Sequence, residues 1–208
     1  MKNKTVPDEH LENEVREKGY AAICGVDEAG RGPLAGDVYA AAVILKPDSV
    51  IAGLNDSKKL SEARREDLAP IIKSEAAAWC VASATVEEIE RLNILQAALL
   101  AMRRAVEGLE IPAEYALTDG NQKPLLTIPV GTVVHGDAKS ASIAAASVLA
   151  KTARDASLRE LDELYPEYGF AAHKGYGTKA HYEAIAQYGP CPAHRPSFLK
   201  KFYERGGK

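Results

Sequence analysis

Residues 25–36 read GVDEAGRGPLAG and set two carboxylates, Asp27 and Glu28, side by side where an apolar run meets a glycine-rich loop. Side chains alternate faces along a strand, so adjacent acids should point opposite ways. The upstream residues AAICGV have the length and character of a buried strand, and Gly30, Gly32 and Gly36 mark a loop. The strand is therefore expected to end at Asp27, with Glu28 already in the turn. Such a break in the pleat would let both carboxylates face one site.

Working outward, DVYAAAVIL (37–45), AWCVASAT (78–85), EYALTDG (114–120) and IPVGTVVHGD (128–137) are further strand candidates. Residues 62–75 read as a helix, and Thr85 with Glu88 has the form of a capping box. Ile94, Leu95, Ala98, Leu99, Met102 and Val106 form one helical stripe after Asn93. A long helix is predicted over 140–165 and another over 178–188. The pattern predicts an α/β fold, a mixed five-stranded sheet with helices on both faces. Asp27, Asp119 and Asp137 each fall at the carboxyl end of a predicted strand, the edge where ligands bind in open α/β sheets.

With 208 residues, one domain is expected, with about 1–19 as a charged N-terminal extension and about 166–208 as a C-terminal helical and loop region. Hydrophobic residues make up 46% and charged residues 26%, the balance of a soluble globular chain. No run of membrane-spanning length is present, and the charged start lacks the apolar core of a secretory signal. Cys24, Cys80 and Cys191 are too few and scattered for a disulfide framework or a zinc site, which suggests a reduced cytoplasmic protein with Cys24 and Cys80 in the core. The net charge of −3 speaks weakly against a nucleic-acid partner. A concentrated acidic metal site would lower the count without removing a basic face.

One aspartate before a glycine is most often turn chemistry, and Asp137 also suits a helix cap. Four acids converging without a lysine or arginine between them would repel, and hard divalent cations relieve that repulsion. Two such ions, roughly 3.5–4 Å apart, can clamp a phosphodiester. There is no P-loop and no dinucleotide glycine fingerprint. A Mg²⁺ or Mn²⁺ pair held by Asp27, Glu28, Asp119 and Asp137 is the most economical chemistry.

The blocks GVDEAGRGPLAG, NDSKKL, LTDGNQKP, HGDAKSASIAAASVLAKTARD, YGFAAHKGYGT and GPCPAHRPSF resemble, in order and spacing, bacterial ribonuclease HII of the type 2 ribonuclease H family. The resemblance runs from about residue 20 to 198. It implies a ribonuclease H-like fold and metal-dependent endonucleolytic cleavage of RNA in RNA–DNA hybrids, including attack at single ribonucleotides within DNA. Only about two dozen residues precede Asp27, so the related type with a long N-terminal domain is not expected. The resemblance makes Asp27, Glu28, Asp119 and Asp137 the metal-binding carboxylates. Gly30, Arg31 and Gly32 become the loop whose backbone approaches the target ribose, where glycine permits close contact. It makes Tyr176 the ring that stacks on the sugar at the DNA–RNA junction. Lys58, Lys139 and Ser140 are phosphate-contact candidates. Asp155 resembles a further acid beside the second metal, with pairing to Arg154 or another base as the alternative. Three positions depart from the family pattern: Pro196 where a second arginine is common, Ala138 where serine is frequent, and Thr118 where an apolar residue is usual. The first makes no role expected for the neighbourhood of Arg195.

The implied reaction is in-line attack of water 5′ of a ribonucleotide, leaving a 3′-hydroxyl and a 5′-phosphate. The expected partners are RNA–DNA hybrids and ribonucleotide-containing DNA duplexes, with the enzyme monomeric and away from membranes. The nearest rival is a ribonuclease H-like nuclease acting on DNA alone, of the resolvase or integrase type. An idle binding module and a small-molecule phosphatase are more distant alternatives. The final residues, FLKKFYERGGK, are read as either a contacting tail or a frayed end.

Overall fold

The protein is described from a computed structural model covering residues 6–204 and 206. Five strands form one sheet: β1 (Ile23–Ala29), β2 (Val38–Leu45), β3 (Ala76–Ala84), β4 (Tyr115–Asp119) and β5 (Val130–Val133). Their spatial order is β3-β2-β1-β4-β5. β1 is central, antiparallel to β2 and parallel to β4, so the sheet is mixed. The helices are α1 (His10–Arg16), α2 (Glu62–Glu75), α3 (Val86–Leu92), α4 (Ile94–Glu107), α5 (Ala141–Leu164), α6 (Phe170–His173), α7 (Lys179–Tyr188) and α8 (Pro196–Glu204). Among the described residues, no helix is long and apolar enough to cross a membrane.

Each sheet face has its own core. Cys24, Val26, Ala40 and Ala42 pack with Ala98, Ala101, Met102 and Ala105 of α4. Ala29, Ala41 and Val43 pack on the opposite face with Ala144, Ala145 and Val148 of α5, backed by Leu68 and Ile72 of α2. Small residues on α5 bring it close to β1. The closest approach is at Gly25, where an added Cβ would lie 2.2 Å from the backbone of Ser142 and Ile143. Only glycine fits there, and that approach sets the start of α5 against the strand that carries Asp27.

The expected break after Asp27 is absent. β1 continues through Glu28, opposite Ala40, and Ala29, opposite Tyr39. The apolar run of β2 supplies ladder partners for both, so the pleat continues and the two acids straddle the sheet. Asp27 shares the α5 face with Gly25 and Ala29, and Glu28 shares the α4 face with Cys24 and Val26. β5 also stops short of the expected Asp137. His135 takes a left-handed φ of 58°, and Asp137 lies in a 3-10 turn, Gly136–Ala138.

The N-terminal segment is more than a charged extension. Glu12 of α1 is buried, and its Oε1 accepts from Ser140 Oγ (2.5 Å), Ser142 N (2.9 Å) and Ser142 Oγ (2.5 Å). A carboxylate thus meets the N-terminus of α5, where the helix dipole and free N–H groups favour negative charge. Residues 1–5 and the last residues of the expected tail, 205, 207 and 208, lie outside the described residues. The tail before them forms α8, whose Leu199 is fully buried.

Candidate active site

One carboxylate oxygen from each of Asp27, Asp119 and Asp137 lies within 4.8 Å of the others. Asp119 ends β4 beside β1, and its Oδ1 accepts from Gly136 N at 2.7 Å. That bond folds the 3-10 turn back over the strand end. A Cβ on Gly136 would come within 2.6 Å of Ile143 Cδ1 and 3.3 Å of Asp119 Oδ1, so any side chain in the turn that delivers Asp137 would displace the buried Ile143. Glu28 lies outside this triad. It lines a small cleft of about 170 Å³ with Asp119, Gly120 and Arg31, and its Oε1 is 3.3 Å from Arg31 Nη1. Asp119 therefore stands between the buried aspartates and Glu28.

The cluster is electrostatically strained. Burial pushes the Asp27 carboxyl well above the ordinary range, and Glu28 and Asp119 push it further. A hydrogen bond from Ser147 and one from the Glu28 backbone oppose them. Burial also raises Glu28, offset by Arg31 and reinforced by Asp119. The expectation that no basic side chain enters the cluster is not met, because Lys58 Nζ lies 3.0 Å from Asp137 Oδ2. The turn Ser57–Lys59, capped by Asp56, supplies it. Burial pulls the Lys58 ammonium down, and Asp137, with Asp27 and Asp56, more than restores it.

A second basic group reaches the cluster indirectly. Lys151 Nζ donates to Ser57 Oγ, which lies 2.6 Å from Ser147 Oγ, and the Ser147 hydroxyl favours the ionised form of Asp27. Burial lowers the pKa of Lys151, and the charge of Asp27 opposes that shift. Lys58, Lys151 and Arg154 line a cleft of about 440 Å³ together with Gly30, Gly32 and Tyr176. Tyr176 is about half exposed. Its ring flanks the loop: a Cβ on Gly32 would meet Tyr176 Cε1 at 3.4 Å, and the Arg154 guanidinium lies 5.5 Å from the ring centre.

The glycine loop is held from beneath by Arg195. This side chain is fully buried, and its guanidinium donates to five backbone carbonyls. They are Gly36 O (2.8 Å), Arg31 O (3.2 Å), Pro33 O (2.9 Å), Gly30 O (2.7 Å) and Asp37 O (3.3 Å). Burial pulls its pKa down to about 10, leaving it charged at neutral pH. The absence of a role for this neighbourhood was the wrong expectation. The departure at Pro196 drew attention away from a guanidinium whose five donors suit a fan of carbonyls.

Three other expected contacts are occupied or shielded. Ser140 is fully buried, capping α5 and bonding Glu12, so its hydroxyl is closed to a phosphate. Lys139 is exposed on the turn, and its Nζ bonds Val134 O at 2.8 Å. Asp155 is buried between Arg65 (3.1 Å) and Arg154 (3.6 Å), the pairing alternative. Ser57, Ser147 and Lys151 carried no expectation. Ser147 and Lys151 share one face of α5 at i, i+4, a spacing that could have linked them.

A mixed sheet with helices on both faces and three aspartates at one edge is the architecture of a ribonuclease H-like nuclease. Its solved relatives include the crystal structure of ribonuclease H2 from Pyrococcus horikoshii OT3, which is 26% identical and superposes with a TM-score of 0.73. That match covers 89% of this chain and 98% of the other. The ribonuclease HII family profile matches residues 24–202, and the chain belongs to that family. Ribonuclease HII of Laribacter hongkongensis is 64% identical over 178 residues, covering 85% of this chain and 90% of its relative. Ribonuclease HII of Dechloromonas aromatica is 62% identical over 176 residues, with the same two shares. The protein is thus an endoribonuclease of the ribonuclease H class.

Proposed function

We propose that the enzyme hydrolyses the RNA strand of RNA–DNA hybrids and cuts 5′ of single ribonucleotides embedded in duplex DNA, leaving a 3′-hydroxyl and a 5′-phosphate. The observation that carries this reading is that the cleft lined by the Gly30–Gly32 loop, Tyr176, Glu28 and Lys58 adjoins the acidic cluster, which Lys58 reaches at Asp137. A cutting centre and a surface suited to reading a sugar stand a few residues apart at one strand end.

The donor set fits hard divalent cations. Three aspartate oxygens converge with no nitrogen or sulfur ligand among them, and a buried carboxyl whose pKa has been pushed up gains most from a cation. Asp27, Asp119 and Asp137 would hold one Mg²⁺ or Mn²⁺, and Glu28, across Asp119, would share a second. Bound there, divalent ions neutralise phosphate charge and lower the pKa of water. In their absence Lys58 supplies the compensating charge at Asp137. Its exposed, flexible stem leaves it free to turn to a substrate phosphate.

The remaining roles belong to the chain itself. The Gly30–Gly32 backbone, held by Arg195, meets the ribose and reads its 2′-hydroxyl. Tyr176 stacks on the neighbouring sugar. Lys58, Lys151 and Arg154 grip duplex phosphates, and the exposed Lys139 exchanges its bond to the Val134 carbonyl for one to a phosphate. One ribonuclease H-like unit carries all of this as a cytosolic monomer, with segment 166–204 on the substrate side. The test is Asp27→Asn on an RNA–DNA hybrid with Mg²⁺ or Mn²⁺. Turnover should fall by at least about a thousandfold with the circular dichroism spectrum unchanged. Substantial residual cleavage would remove Asp27 from the centre.

A further inference from the structure

Outside the acidic cluster, three histidines gather beneath the Tyr176 loop. His181 of α7 is fully buried and His194 nearly so. His181 Nδ1 lies 2.9 Å from the carbonyl oxygen of Tyr176. A carbonyl only accepts, so Nδ1 carries the hydrogen and Nε2 of the same ring is an acceptor. That Nε2 lies 3.0 Å from His194 Nε2, which must therefore donate. His194 Nδ1 is then free to accept, and it receives the backbone N–H of Cys191 at 3.0 Å. The Tyr176 carbonyl dictates the His181 tautomer and, through it, that of His194, whose Nδ1 lies nearer the Cys191 N–H (3.0 Å) than the Cys191 carbonyl oxygen (3.3 Å); in this arrangement both rings are neutral. A second proton on either ring would set two N–H groups against each other.

The pair joins two separate segments. At one end is Tyr176, in the loop whose Gly175 carbonyl accepts from Leu34 N at 2.8 Å. At the other, His194 pairs with Ala35, Gly36 N donates to Ala193 O, and Arg195 grips the Gly30–Asp37 carbonyls. His173 supports the same loop. Its Nδ1 accepts from Gly175 N, its Nε2 donates to Tyr168 O, and its ring stacks on His181 with centroids 4.2 Å apart. Tyr168 and Phe170 close the sides, with ring centres 4.8 and 5.5 Å from His194. None of these imidazoles reaches the acidic cluster.

We infer that His181 and His194 are positioning residues, a neutral imidazole pair that fixes Tyr176 relative to the Gly30–Gly32 loop. Recognition of the sugar at the strand junction depends on that spacing. The inference rests on the reading of Tyr176 as the sugar-stacking ring. Losing the pair frees the Tyr176 carbonyl from one of its two partners, the other being Thr178 N at 2.8 Å. The ring then loses its fixed distance from Gly32 while the acidic cluster is untouched.

The experiment is a double-mutant cycle on a DNA duplex holding one ribonucleotide, using His181→Leu, Tyr176→Ala and the double variant. His181→Leu should lower kcat/KM by about tenfold, and the double variant should be no worse than Tyr176→Ala alone. Losses that multiply, or an unchanged His181→Leu enzyme, would overturn the inference. His181→Asn keeps a donor near the Tyr176 carbonyl and serves if the leucine variant does not fold; it should lose less than Tyr176→Ala. In the wild type, long-range ¹H–¹⁵N spectra at neutral pH should show the hydrogen on Nδ1 of His181 and Nε2 of His194. The reverse assignment also overturns it. A wild-type enzyme that leaves the ribonucleotide uncut sinks the reading of Tyr176 itself, and this inference with it.

Discussion

Asp27 is the residue on which binding and stability conflict. Its carboxyl is buried against α5 and raised by burial and by its acidic neighbours, so holding it ionised at neutral pH costs folding free energy. The sign is clear: a folded pKa above the unfolded value removes stability as pH rises above the unfolded value. Asp27→Asn keeps the shape and an oxygen to accept from Glu28 N, a bond of 2.8 Å in the wild type. The variant should therefore melt a few degrees higher than wild type in a chelator. Adding Mn²⁺ should raise the wild-type Tm by mass action and leave the variant nearly unmoved. A variant that melts lower in chelator and still responds to Mn²⁺ would show that Asp27 is neither strained nor a ligand. Glu28 shows the limit of arguing from adjacency. Two neighbouring acids need no broken pleat when a third, Asp119, stands at the edge between them.

At the scale of elements, the decisive contacts run between segments far apart in sequence. Arg195, at the start of α8, holds the loop after β1 through five carbonyls. A lysine carries the charge but not the planar fork, so Arg195→Lys leaves several buried carbonyls without donors. At roughly 1 kcal/mol for each lost bond, the cost is on the order of 3 kcal/mol, a fall in Tm of about 6–12 °C. A change under about 2 °C would mean that the loop holds its shape unaided. The histidine pair gives the C-terminal elements a pH dependence. His181 is held down at about 4, chiefly by burial, with His173 and His194 adding to the shift and the Tyr176 carbonyl opposing it. Burial lowers His194 as well. An unfolded imidazole titrates near 6.5, so the unfolded chain binds more protons between about 4 and 6.5. The stability from a neutral His181 is complete above about 6.5 and is lost as pH falls toward 4. Wild-type Tm should drop between pH 7 and pH 5 by more than that of His181→Asn. Equal drops would show that His181 titrates normally.

Over the whole molecule, the strands, the two helical faces and the convergence of Asp27, Asp119 and Asp137 were legible because they rest on local signals: apolar runs of strand length, a 3.6-residue stripe and acids at or near the ends of apolar runs. Helix 62–75 and the Thr85–Glu88 capping box were read directly and form as expected. What failed depended on pairing across the sheet or on distant contacts. Glu28 stays in β1 because β2 offers it a partner, which the residues of β1 alone do not reveal. Asp137 leaves β5 because Asp119 captures the Gly136 amide. Ser140 is closed off by Glu12, 128 residues away, and Arg195 acts on a loop more than 150 residues away. The roles given to Gly30, Arg31, Gly32 and Tyr176 came from family likeness, and the fold brings those residues together in one cleft.

A metal-dependent cutting centre at the aspartates, beside a cleft that reads one sugar, has a direct consequence for substrate choice. The most direct measurement incubates a DNA duplex carrying a single internal ribonucleotide with enzyme and Mn²⁺ or Mg²⁺, beside the same duplex made wholly of DNA. The expected result is one cut, on the 5′ side of the ribonucleotide, with a 3′-hydroxyl and a 5′-phosphate at the ends and the all-DNA duplex intact. Equal cutting of both duplexes, or cutting that persists in a chelator, would contradict it.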